Sequence, residues 1–408
     1  MRQLISIYQH GYVKDDTFVP VKKVAKDNSD LKEKLLQISG IQINDVDGRV
    51  YTLGQEAAHL IGYVQSINAE ELQKYQDKGY TSTSIIGKSG LELAYEDRLK
   101  STDGIQIYIA DEKGNLVTEI AKQEQKDGED VKITINSDIQ KNLYTQLKDD
   151  KGLFVVMEPK TGELLALVST PSYDSNDFSL GMTNAKWEEL NNDDSKPLYN
   201  RFLQSYCPGS TFKPSSALAG LNEKVITTST VINCTGLYDK ITPPAKCWKY
   251  PDRHGPRTVS TAIEASCNYF FYEVGYRLGN KSGSYSSKEG LKYLEKYATD
   301  LGLNKKSGIE LDESSPQVSD ETSVRSAIGQ GRNSFTPSQI SNYVTTLSNR
   351  GTVYNLSIMD KITDDNGKTI KKYGVKKVRQ LHYDTKYWNA VQTGMRGVVN
   401  GNDSSVSS

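Results

Sequence analysis

Residues 207–214 read Cys207-Pro208-Gly209-Ser210-Thr211-Phe212-Lys213-Pro214, and the chain continues as Ser215-Ser216-Ala217-Leu218-Ala219-Gly220-Leu221. Pro208 and Gly209 supply a turn, and the apolar run behind them predicts a helix that begins at or near Ser210. Residues three apart on a helix share a face, so Ser210 and Lys213 project side by side. The helix N-terminus adds free N–H donors and a partial positive charge beside the hydroxyl. A serine attacks a carbonyl once a base has taken its proton, and a lysine is such a base where burial lowers its pKa. The stretch therefore predicts a serine nucleophile with a lysine base. The spacing alone is weak evidence, because Ser29-Asp30-Leu31-Lys32 shares it. That second match lies in a charged stretch and reads as an exposed helix start.

Around this stretch, 408 residues predict two domains or one large domain with an extension. The 50 basic and 51 acidic side chains nearly cancel, which gives no electrostatic footprint for nucleic acid. No run approaches the roughly 18 apolar residues of a membrane span, and no signal-peptide pattern opens the chain. Residues 1–135 alternate short strand patterns with polar helical runs and read as an α+β stand without a reaction centre. Ile41-Gln42-Ile43-Asn44 and Arg49-Val50-Tyr51-Thr52 have strand character, and His59 in the helix Gln55–Ile61 reads as structural. Gly114-Asn115 reads as the turn of a hairpin. Residues 136–408 form the second domain. Its first apolar strands, Gly152–Met157 and Glu163–Val168, read as a hairpin in the centre of a sheet. Lys160-Thr161-Gly162 is the turn of that hairpin and carries no chemistry.

Downstream, Ser266-Cys267-Asn268 lies on a loop at a helix start, where an N-cap is the plain alternative for Ser266. Gly329-Gln330-Gly331 is a turn, and Thr336-Pro337 is the cap and first residue of another helix. Ser210-x-x-Lys213, Ser266-x-Asn268 about 56 residues on, and Gly329-Gln330-Gly331 with Thr336-Pro337 together resemble the class B penicillin-binding proteins. These are the monofunctional D,D-transpeptidases of bacterial cell-wall synthesis. Gly87-Lys88-Ser89-Gly90-Leu91-Glu92 and Pro159–Tyr173 are similar to the same family. The likeness is nearest to low-affinity enzymes of resistant Gram-positive cocci, and the cysteine-bearing insert resembles clostridial and sporulation-associated members.

The resemblance implies an α+β penicillin-recognising fold, with a five-stranded antiparallel sheet between helical layers and an N-terminal pedestal. It also implies a place on the extracytoplasmic face of the bacterial membrane, held by an anchor ahead of this chain. Ser210 would attack the D-Ala-D-Ala carbonyl of a peptidoglycan stem peptide, with Lys213 as base. Ser266 would relay the proton to the leaving amine, Asn268 would hold Lys213 and substrate, and Gln330 and Gly331 would contact substrate. β-Lactams would acylate Ser210. A membrane glycosyltransferase would be the partner, and the chemistry would need no cofactor. The family's third signature, Lys-Ser/Thr-Gly after the Gly401 loop, does not occur before Ser408, and the chain opens abruptly at Met1. Truncation at both ends and impaired acylation are therefore expected. A serine β-lactamase, and a penicillin-binding sensor or division scaffold without turnover, are the competing readings.

All four cysteines fall between 207 and 267. Cys234, Cys247, His254 and Cys267 have the donor types of tetrahedral zinc, with Asp252 as an alternative to Cys234. A disulfide of Cys247 with Cys267 or Cys234, and buried free thiols, are the plainer alternatives. Cys207 reads as a packing residue.

Overall fold

Every residue from Lys213 to Leu221 is buried, so the helix Lys213–Asn222 runs through an interior rather than over one. In the computed structural model, residues 28–43, 48–82, 84–110, 116–179 and 181–401 are described. They form two compact units, residues 1–96 with 171–199 and residues 97–170 with 200–408.

In the larger unit the Lys213–Asn222 helix contributes Ala217, Leu218 and Leu221 to one continuous core. Phe270, Phe271 and Val274 reach that core from helix Asn268–Gly279, and Leu294, Tyr297 and Ala298 from helix Ser287–Asp300. Helix Thr385–Asn400 adds Trp388 and Val391. Helix Pro337–Ser348 is opened by a reciprocal capping box between Thr336 and Gln339, as its Thr-Pro start predicts.

The apolar strands pair as expected, Gly152–Met157 antiparallel to Leu164–Thr170, and Lys160-Thr161-Gly162 lies in their turn. Helix Ser137–Leu147 packs on Leu164–Thr170, and helix Pro337–Ser348 packs on Gly152–Met157. Among the described residues this sheet has two strands, where the resemblance implies five. One edge is closed by a side chain. The amide of Gln140, buried in helix Ser137–Leu147, donates to the Leu167 carbonyl at 2.7 Å and accepts the Leu167 N–H at 2.9 Å. Strand Gly152–Met157 is half-buried along its whole length. A separate hairpin, Ile105–Ala110 with Leu116–Gln123, surrounds the expected Gly114-Asn115 turn, which lies outside the described residues. Thr369–Lys372, Met359–Thr363 and Asp130–Ile133 form a three-stranded sheet.

In the smaller unit, Tyr63 stacks on Phe178 at 4.1 Å, and Tyr173 packs edge-on to both Phe178 and the buried His59. Gly62 and Gly90 cross backbone to backbone: a Cβ on Gly62 would lie 1.9 Å from the Ser89 carbonyl oxygen. That crossing is why the Gly87–Glu92 stretch needs its glycine at 90. Among the described residues no strand forms at Ile41–Ile43, Asn44 lying outside them, or at Arg49–Thr52. At Tyr51 the physical reason is visible. Its N–H donates to Asn176 Oδ1 at 2.8 Å and its carbonyl accepts from Asn176 Nδ2 at 2.9 Å, so an amide side chain has taken the place of a neighbouring strand. Ser29-Asp30-Leu31-Lys32 begins an exposed helix capped by Asn28, as read from sequence.

Candidate active site

Gly209, at φ +53°, turns the chain into a single 3-10 turn, Gly209–Phe212, and the α-helix begins at Lys213 rather than at Ser210. The tighter turn leaves Ser210 exposed while Lys213, three residues on, is 1 % exposed. The turn is pinned from behind. Tyr206 and Phe335 exchange two backbone hydrogen bonds of 2.9 Å, and the Phe212 and Phe335 rings stack.

Gly329 is the closest of these supports. Its carbonyl accepts from the Gly209 N–H at 3.2 Å and from Cys207 Sγ at 3.0 Å. With φ +76°, a Cβ there would stand 2.0 Å from the Gly209 carbonyl oxygen, a backbone atom that cannot step aside. Gly329→Ala is expected to cost about 3 kcal/mol through strain and overpacking. Its melting temperature and its labelling by a fluorescent penicillin should fall together. Cys207 is exposed rather than packed inside, because its position in the turn directs it to the surface. Gln330 and Gly331 are exposed on the same turn as Gly329, beside Gly209.

Four polar groups converge on the Lys213 ammonium. Nζ lies 3.0 Å from Ser210 Oγ, 2.8 Å from Ser266 Oγ, 2.7 Å from the Ser266 carbonyl oxygen and 2.7 Å from Asn268 Oδ1. The Ser266 and Ser210 hydroxyls are 2.9 Å apart. Ser266 does not cap the helix Asn268–Gly279; Cys267 holds the N-cap position. Ser266 instead sits at φ +48°, a left-handed conformation that costs a non-glycine residue roughly 1 kcal/mol. That conformation turns both its hydroxyl and its carbonyl toward Lys213. Burial disfavours the charged amine and brings the Lys213 pKa down to about 8, with Cys267 and Cys247 pulling the other way. The Ser210 hydroxyl, the amine, a second hydroxyl and a carboxamide thus lie within direct contact, and the amine is poised to exchange a proton near neutrality.

Beside this centre two small antiparallel pairs fold residues 232–257 into a nested hairpin. Ile232–Cys234 pairs with Gly255–Arg257, and inside it Leu237–Tyr238 pairs with Ala245–Lys246. The outer pairing puts Cys234 next to His254, and the inner one delivers Cys247. With Cys267 they form a buried group whose ligand atoms all lie within 4.8 Å of one another. His254 Nδ1 is 3.6 Å from Cys234 Sγ and 3.5 Å from Cys247 Sγ. Tetrahedral zinc with ordinary Zn–S and Zn–N bonds requires N···S edges of about 3.5 Å. Burial shifts the His254 pKa down, toward the neutral imidazole that binds metals, with Cys247 pulling the other way. The set could coordinate a metal ion. No disulfide joins its cysteines, and Asp252 is exposed and outside the group.

Sequence reasoning passed over Trp248, whose indole nitrogen lies 3.0 Å from the Ser266 carbonyl oxygen. Its place after Cys247 was the only available signal.

The α+β fold that brings this serine, lysine and serine–asparagine pair together is of the penicillin-recognising type. The profile of the penicillin binding protein transpeptidase domain matches residues 152–408, and that of the penicillin-binding protein dimerisation domain matches residues 1–133. The chain belongs to the penicillin-binding protein transpeptidase family. It is 31 % identical over 392 residues to the peptidoglycan D,D-transpeptidase MrdA of Haemophilus influenzae, covering 89 % of this chain and 57 % of that protein. It is 46 % identical over 211 residues to penicillin-binding protein 3 of Bacillus subtilis, covering 52 % of this chain and 31 % of that protein. The chain thus spans between about a third and three-fifths of these relatives' lengths. Among solved structures, Pseudomonas aeruginosa PBP2 superposes with a TM-score of 0.71 at 27 % identity, covering 87 % of this chain and 75 % of that one. The fold is also that of Helicobacter pylori PBP2 in its complex with MreC, with a TM-score of 0.74 at 24 % identity over 92 % of this chain and 68 % of that one.

Proposed function

We propose that this chain carries the acyl-transfer centre of a peptidoglycan D,D-transpeptidase and is a target of β-lactams. The observation that carries the reading is the contact of buried Lys213 with both Ser210 Oγ and Ser266 Oγ. Neutral Lys213 takes the Ser210 proton as Ser210 Oγ bonds to the carbonyl carbon of the penultimate D-alanine. Ser266 passes a proton to the departing nitrogen, the C–N bond breaks, and terminal D-alanine leaves with the stem peptide esterified to Ser210. The amine of a neighbouring stem peptide then attacks the ester, and Ser210 recovers its proton. Asn268 holds Lys213 in place, and Gln330 and Gly331 face the substrate from the adjoining turn.

The working division lies near residue 135, pedestal before and transpeptidase domain after, in keeping with the two family matches. This reading puts the protein on the outer face of the cell membrane, with a membrane glycosyltransferase of the elongation or division machinery as partner, as the family resemblance implies. Among the described residues no helix is long and apolar enough to cross a membrane. Cys234, Cys247, His254 and Cys267 would hold a structural zinc ion, which tethers the nested hairpin to the Ser266–Asn268 loop and takes no part in bond making.

Mass spectrometry of the protein expressed from its gene, after exposure to penicillin, should find the adduct on the peptide containing Ser210. D-alanine release from a D-Ala-D-Ala peptide should depend on an amine acceptor. An adduct without release would favour the sensor reading, rapid hydrolysis would favour a β-lactamase, and no adduct would end the proposal. Because the active form of Lys213 is neutral, acylation should be slow below its pKa of about 8 and rise toward a plateau above it. A rate flat across that range would remove Lys213 as the base.

A further inference from the structure

The Ser266 carbonyl has two donors, Lys213 Nζ at 2.7 Å and Trp248 Nε1 at 3.0 Å. The same indole N–H lies 3.1 Å from the Ala265 carbonyl oxygen, so it straddles the two peptide groups that set the left-handed bend at Ser266. Trp248 is itself held. It follows Cys247, whose N–H donates to the Gly236 carbonyl at 2.8 Å, and its ring packs edge-on to His254 at 5.2 Å. Its side chain is nevertheless exposed, at 55 % of the residue's accessible surface. An exposed indole with its nitrogen turned inward onto a strained backbone is placed for its hydrogen bond more than for burial.

Counting hydrogens shows what that bond does. Lys213 Nζ faces four acceptors within 3.0 Å. An ammonium has three N–H groups, so one acceptor already shares; a neutral amine has two, plus a lone pair that must point at the Ser210 hydroxyl. In the reactive form, Lys213 cannot serve Asn268, the Ser266 hydroxyl and the Ser266 carbonyl together. Without the indole, this half-buried carbonyl would draw a Lys213 hydrogen away from the others or relax the bend. The Trp248 N–H fills that gap.

We propose that Trp248 is a positioning residue for acyl transfer. Its indole N–H satisfies the Ser266 carbonyl, keeps the Ser266 hydroxyl against Ser210 and Lys213, and frees Lys213 to act as base. This role rests on the transpeptidase reading above.

The test compares wild type, Trp248→Phe, and protein in which Trp248 is replaced by its benzothiophene isostere, which has the same shape but sulfur in place of N–H. Acylation by a fluorescent penicillin over a range of concentrations separates the binding constant from the acylation rate constant. Both variants should lose about ten-fold in the rate constant with binding unchanged, the loss expected for one hydrogen bond made at the reacting centre. The isostere should melt within a degree or two of wild type. An isostere that acylates within two-fold of wild type overturns the proposal, as does a change in binding alone, which would make Trp248 a wall of the groove. A wild-type protein that forms no adduct at Ser210 removes the transpeptidase reading and the Trp248 role together. Normal wild-type acylation beside an unaffected isostere removes the Trp248 role alone.

Discussion

Ser210→Ala should abolish labelling by fluorescent penicillin, with acylation down by on the order of 10⁴-fold or more, while the protein melts as before. The two halves of this result have separate causes. Ser210 is exposed at the head of its turn, so losing its oxygen removes no core contact and changes stability by no more than about 0.5 kcal/mol. Lys213 keeps three acceptors, Ser266 Oγ, the Ser266 carbonyl and Asn268 Oδ1, and is not stranded. What disappears is the atom that forms the ester. Lys213→Ala would be a poorer probe, because it hollows a buried site and orphans the groups around it. Labelling of Ser210→Ala at a tenth of the wild-type rate would show that another residue is the nucleophile.

The second large effect concerns the cysteine–histidine group. Cys234→Ser, or treatment with a strong chelator, should lower the melting temperature by roughly 6–12 °C, corresponding to about 3 kcal/mol for a domain of this size. Cys234 is the right ligand to change. It is buried on the outer pair of the nested hairpin and makes no hydrogen bond to Ser210, Lys213, Ser266 or Asn268. Adding zinc back should restore the chelated protein but not the variant. If purified protein contains no metal and its melting ignores the chelator, the three sulfurs are thiols packed together and the metal proposal fails.

The chemistry was more legible in the sequence than the geometry that supports it. Ser210 and Lys213 could be paired because three-residue spacing has one structural meaning on a helical turn, whether 3-10 or α. Ser266 and Asn268 came from a motif, yet nothing in Ala265-Ser266-Cys267 announces a left-handed serine, since the sterically cheap choice there is glycine. Cys234, Cys247, His254 and Cys267 were legible as a group because few residue types bind soft metals and these crowd together. Their convergence required two hairpins, one inside the other, whose register no hydrophobic alternation displays across strands of two and three residues. Trp248 was illegible for the same reason. Residues 171–199 return to the first unit through Tyr173 and Phe178, and no period or turn residue marks that return.

The Gln140 amide has a further consequence. By occupying both backbone groups of Leu167, it blunts that flank of the hairpin as a neighbouring strand would, without offering a fresh ladder beyond. Any additional strand, whatever chain supplies it, can lengthen this sheet only on the side of Gly152–Met157. Sheet growth here runs one way, because the Gln140 carboxamide, the Asn136 N–H on the Leu165 carbonyl and the Ser357 carbonyl on the Leu164 N–H together cover the other flank.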